Sequence, residues 1–125
     1  MRKSAAIMAL LALFFTLVAA GVAFAVTKTC SSVPCRGTPS ADILKERVGN
    51  GKHDVIIAGR GSDRLRANRY GADTDNLDGG RGNDRLNVLD GDSRDRAVGG
   101  PGNDDFCFVD DVPEISPSCE VFAIP

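Results

Sequence analysis

Seven aspartates recur along the middle of this chain, at Asp42, Asp54, Asp63, Asp75, Asp84, Asp95 and Asp104. Two residues after each stands an apolar side chain: Leu44, Ile56, Leu65, Leu77, Leu86, Ala97 and Phe106. The aspartates close short turns rich in glycine, where a residue without Cβ can take positive φ and aim successive carbonyls at one point. Carboxylates that meet such carbonyls make a donor set for a hard cation, and calcium takes six to eight oxygens of both kinds. The competing role for aspartate in a turn is to cap the backbone through its own side chain.

Other chemistry finds little support. His53 is the only histidine and has no second histidine or cysteine at ligand spacing. Cys30 and Cys35 lack histidine partners, which argues against zinc. Ser62, His53 and Asp54 can be assembled into a triad on paper, but acyl transfer also needs a pocket and an oxyanion site, and short solvent-facing turns offer neither. No catalytic residue is assigned.

The element that positions the aspartates is a nonapeptide. Three copies are nearly regular, Ala58 to Arg66, Gly79 to Asn87 and Gly99 to Cys107. Weaker copies run from Gly37 to Lys45, Gly49 to Ile57, Tyr70 to Asp78 and Asp90 to Val98. Each supplies a six-residue turn and a three-residue strand whose middle side chain points inward, so two repeats make one coil of a flattened parallel roll. Extra residues fall only after the first, third and fifth copies, at Glu46-Arg47-Val48, Ala67-Asn68-Arg69 and Val88-Leu89. Two columns of turns follow, one holding Asp42, Asp63, Asp84 and Asp104 and the other Asp54, Asp75 and Asp95. The predicted fold is all-β, a short right-handed parallel β-roll solenoid of about three and a half coils with disulfide-tied flanks.

Residues 1–25 read as a secretory signal peptide, with Arg2 and Lys3 before an apolar run and the processing site Ala23-Phe24-Ala25 at its end. The alternative is an uncleaved membrane anchor, because Ser4 to Val26 is long enough to span a bilayer. Beyond the signal, 26–36 is an N-terminal flank or cap, 37–107 the repeat roll and 108–125 a C-terminal cap. The mature chain carries 13 basic against 17 acidic side chains, a net charge near −4 that argues against nucleic acid as a partner. After cleavage no membrane-length apolar run remains, so the expected location is extracellular. All four cysteines follow the signal, an even number that suits an oxidising compartment. The two ends of the roll are too far apart to be bridged, which favours Cys30–Cys35 and Cys107–Cys119, with two other connectivities left open.

Residues 37–107 resemble the RTX, or haemolysin-type, calcium-binding repeats. The mature chain is also similar to small exported bacterial proteins with an opening Cys-x-Gly-Thr, here Cys35-Arg36-Gly37-Thr38, and a closing Cys-Glu, here Cys119-Glu120. The resemblance implies calcium between turns of successive coils, held by Asp63, Asp84 and Asp104 with carbonyls of the Gly-rich stretches 58–61, 79–82 and 99–102. Gly59, Gly61, Gly79, Arg81, Gly82, Gly99, Gly100 and Gly102 lie in those stretches. Two ions are implied, one on each side of Asp84.

The first turn, Gly37 to Asp42, lacks two of the glycines, and the Asp54, Asp75 and Asp95 column places Lys52 and Ser93 where glycine is expected, so these four aspartates are the weaker metal candidates. Arg60, Arg64, Arg81 and Arg85 stack beside the better column and would oppose calcium unless they pair with acids such as Asp78 or Asp105. The functional expectation is an exported, non-enzymatic calcium-binding protein whose folding is coupled to the ion. Its alternative is a metal-free, disulfide-held solenoid that binds a cell-surface protein or glycan.

Overall fold

The computed structural model describes residues 24–49 and 51–125. The signal or anchor assigned to the N-terminal segment falls almost wholly outside the described residues. Among those described, no helix is long and apolar enough to cross a membrane.

Most strands are no longer than three residues, because each repeat supplies only three residues between turns, and two run six residues into the following Gly-rich stretch. They are β1 (Thr27–Thr29), β2 (Cys35–Arg36), β3 (Ile43–Lys45), β4 (Val55–Arg60), β5 (Arg64–Arg66), β6 (Asn76–Arg81), β7 (Arg85–Asn87), β8 (Arg96–Val98), β9 (Phe106–Phe108) and β10 (Val121–Ala123). Odd and even strands segregate into two parallel sheets, ordered β1-β3-β5-β7-β9-β10 and β2-β4-β6-β8. The chain is therefore an all-β parallel solenoid, as the repeat predicts. The coiling also runs beyond the repeats, since β1 and β2 start both sheets and β10 extends the larger one.

Register follows the apolar residues. Leu44 pairs with Leu65, Leu65 with Leu86, Ile56 with Leu77 and Leu77 with Ala97. These inward side chains are buried and form one core between the sheets. Ala97 also bridges to Ile115, beside a single 3-10 turn at Val112–Glu114 whose N-cap is Asp111. Both favoured disulfides are present, Cys30–Cys35 at a Cα separation of 5.6 Å and Cys107–Cys119 at 6.0 Å, one near each end of the stack.

One inward position differs from the sequence expectation. Leu86 pairs with Cys107, which is fully buried, and Phe106 lies on the outer face, where Arg85 covers its ring at 5.5 Å. Gly100 and Gly102 still stack on Gly80 and Gly82. The extra residue therefore enters the last turn between Gly102 and Asp105, where Asn103 and Asp104 are both exposed. Burial of Cys107 against the core and its bond to Cys119 select the inward phase.

Candidate metal centre

Stacked aspartates form two hydrogen-bonded ladders. In the first column the Asp42 N–H donates to Asp63 Oδ1 at 2.6 Å, Asp63 N–H to Asp84 Oδ1 at 2.7 Å and Asp84 N–H to Asp105 Oδ1 at 2.7 Å. The ladder ends when Asp105 N–H donates to Glu120 Oε2 at 2.8 Å. The carboxylate that takes the fourth place is thus Asp105, fully buried, while Asp104 is exposed. Asp105 is accordingly not the surface acid expected to neutralise an arginine. In the second column Asp54 N–H donates to Asp75 Oδ1 at 2.7 Å and Asp75 N–H to Asp95 Oδ1 at 2.7 Å, and Asp95 N–H reaches Glu114 Oε1 at 3.4 Å.

The ladder uses one oxygen of each carboxylate, and the fate of the other separates the candidates. Asp42 is saturated, because Thr38 N–H and Thr38 Oγ1 donate to it and Val26 N–H reaches its Oδ1 at 2.8 Å. Asp54 is saturated by Arg47, whose Nε lies 2.5 Å from Oδ1 and whose N–H donates to Oδ2 at 3.1 Å. Asp63, Asp84 and Asp105 in the first column and Asp75 and Asp95 in the second each keep a buried Oδ2 with no protein partner. A buried acceptor left without a donor costs on the order of 1–3 kcal/mol, more when charged, so these oxygens call for a cation or a proton.

Electrostatics agree. Burial pushes the carboxyls of Asp63 and Asp84 up to about 6, that of Asp75 to about 7 and that of Asp95 to about 8, and it also raises Asp105. Neighbouring carboxylates add to the rise in every case. Bare, these groups resist ionisation; a divalent ion would reverse the balance.

Backbone carbonyls complete the first column. A Cβ on Gly79 would overlap Asp84 Oδ2 and come within 2.7 Å of the Gly99 carbonyl oxygen. At Gly99 it would overlap the Ser118 carbonyl oxygen and lie 2.6 Å from Asp105 Oδ2. Each glycine thus keeps open a place where its own turn's carboxylate meets a carbonyl of the next coil. Gly80 and Gly82 serve otherwise, with φ of 90° and 132° as the turn requires. Arg81, expected only as a carbonyl donor, already accepts from Gly61 N–H at 2.9 Å through that carbonyl, which retains a second lone pair.

Ala58 holds the position of Gly79 in the preceding coil and is buried, so a methyl group stands there where the neighbouring coils have none. In the second column the equivalent inward positions are Glu46, Ala67, Val88 and Val109, all buried. Three of the four fill their turns with apolar side chains. The first residue of each apparent insertion in the sequence, Glu46, Ala67 and Val88, is one of these inward fillers.

His53 does not join a catalytic set: its Nδ1 meets the Thr74 carbonyl on the neighbouring coil, and Ser62 lies beyond the far end of β4. Glu114 and Glu120 terminate the two ladders. Sequence reasoning recorded Glu120 only as part of a closing motif and missed Glu114, which no nonapeptide contains.

Two parallel sheets joined by stacked Asp-Gly turns define a parallel β-solenoid repeat protein. A family model, the RTX calcium-binding nonapeptide repeat (4 copies), matches residues 48–69, about one coil. No curated protein and no solved structure matches the chain at a significant level. The match over this coil and the parallel solenoid together support a repeat protein of the RTX β-roll type, whose nonapeptide repeats bind calcium.

Proposed function

We propose that this protein is exported and non-enzymatic, and that calcium bound between stacked turns completes and stiffens its fold. Asp63, Asp84 and Asp105 would hold two ions with carbonyls of the adjacent Gly-rich stretches, one ion on each side of Asp84. The observation that carries this reading is the trio of buried, unpartnered Oδ2 atoms in the column where Gly79 and Gly99 keep the Asp84 and Asp105 turns open. Asp42 stays the weaker candidate, because Thr38 and Val26 already donate to its oxygens. The even cysteine count and the N-terminal segment support export, where calcium is plentiful.

The ion would neutralise carboxylates that burial otherwise discourages from ionising, and it would tie one coil to the next. Binding energy then appears as folding energy. A calcium titration of the mature chain, followed by circular dichroism and calorimetry, tests this: β signal and melting temperature rise at millimolar calcium and fall again with chelator. A chain indifferent to both favours the metal-free alternative, a solenoid that presents a face to a cell-surface protein or glycan. For that reading the groove lined by Arg64, Arg66, Arg85 and Asn87 on the larger sheet is the available surface.

A further inference from the structure

We propose a second kind of metal site in the other column, built from side chains rather than from glycine turns: Asp73, Asp75, Asp90 and Asp95 hold one hard cation, physiologically calcium. One carboxylate oxygen from each lies within 4.8 Å of the other three. Asp73, Asp75 and Asp95 are 6%, 0% and 5% exposed. Asp73 Oδ1, Asp75 Oδ2, Asp90 Oδ2 and Asp95 Oδ2 are all buried without a hydrogen-bond partner. Each member of the cluster therefore has an oxygen free to ligate, on grounds separate from proximity.

The site does not repeat the nonapeptide pattern. Asp73 and Asp90 occupy the fourth and first places of their repeats, not the sixth, and the inward places above and below are closed by Ala67 and Val88. Arg47, which forms an ion pair in this column, is engaged by Asp54 one coil earlier. Four carboxylates so close in a desolvated setting repel one another when charged, and a cation among them relieves that repulsion. The all-oxygen donor set, without histidine or thiolate, selects calcium or a lanthanide over zinc or copper.

Tyr70 provides a selective reporter. It is the only tyrosine of a chain without tryptophan, and it stands three residues before Asp73 in the same turn. With terbium(III) as probe and excitation in the tyrosine band, the full mature protein should give sensitised terbium emission that saturates at one ion and is displaced by calcium. Asp73→Asn with Asp90→Asn should weaken that emission's binding curve at least tenfold and lower the calorimetric calcium stoichiometry by one. Asp84→Asn, which touches only the first column, should leave the emission intact. Tyr70→Phe should abolish emission without changing the stoichiometry, which shows that the signal comes from this turn. No tyrosine-sensitised emission in the wild type, or undiminished emission in the Asp73, Asp90 double variant, overturns the proposal. Because the double variant removes crowded charge, a loss of its calcium-free circular dichroism signal would likewise overturn it by showing that the carboxylates serve the fold itself.

Discussion

Replacing Asp84 by Asn should change stability in opposite directions with and without calcium. The amide keeps an oxygen to accept the Asp63 N–H now bound by Oδ1 at 2.7 Å, but it removes the charge on the unpartnered Oδ2. Moving a carboxyl from 3.8 to about 6 costs about 3 kcal/mol to ionise within the fold at neutral pH. The new amide N–H₂ takes back part of that gain, about 1–2 kcal/mol if imperfectly paired, although the Gly99 carbonyl oxygen lies in the same space. The net expectation without calcium is a variant more stable by about 1–2 kcal/mol, or about 5–10 °C in melting temperature for a domain of this size. With calcium at a hundredfold excess over Kd, each proposed site would add about 2.7 kcal/mol to the wild type, and Asp84 would belong to both of those in the first column. The order should then invert. Differential scanning calorimetry of both proteins at pH 7.5, in chelator and in calcium, is the assay. A variant that melts lower in chelator, or that gains as much from calcium as the wild type, refutes the reasoning.

Asp104→Asn should leave calcium affinity unchanged and Asp105→Asn should weaken it at least tenfold, as read by calorimetry, because only Asp105 stands in the ladder. The calcium-free protein should have an unusual pH dependence: Asp63, Asp84, Asp75 and Asp95 have folded-state values raised to between about 6 and about 8. Their stabilising contribution is complete below the unfolded value near 4 and is lost as pH rises through that range, so urea midpoints in chelator should be higher at pH 4.5 than at pH 8.5. Calcium affinity should run the other way and fall as pH drops below about 6. Removing Cys107–Cys119, which closes a 12-residue separation, should lower stability by about 3 kcal/mol, measured by thermal unfolding of the double serine variant.

Much of this architecture is written in the spacing. The 21-residue steps from Asp42 to Asp63 and Asp84 become hydrogen-bonded rungs, because one inward residue per strand forces equivalent positions into register. The last turn was misread for a physical reason: Asn103-Asp104-Asp105 offers two adjacent aspartates, and a periodic pattern cannot tell which one bulges. That choice belongs to Cys107, whose burial and disulfide fix the phase of β9. The division of labour within each carboxylate was also invisible, since it depends on which backbone N–H lies one coil away. Saturation of Asp54 by Arg47 and of Asp42 by Thr38 and Val26 is likewise a property of the fold. The Asp73, Asp75, Asp90 and Asp95 cluster arises only when turns of unequal length are stacked, so no single repeat announces it.

The most direct test of the account is a crystal structure of the mature protein grown in calcium, with anomalous scattering used to locate the ions. The account predicts peaks at ordinary calcium–oxygen distances of about 2.3–2.6 Å from Asp84 Oδ2 and from the Oδ2 atoms of Asp63 and Asp105. Ions found only on exposed acids such as Asp104, with the inner carboxylates bare, would contradict it.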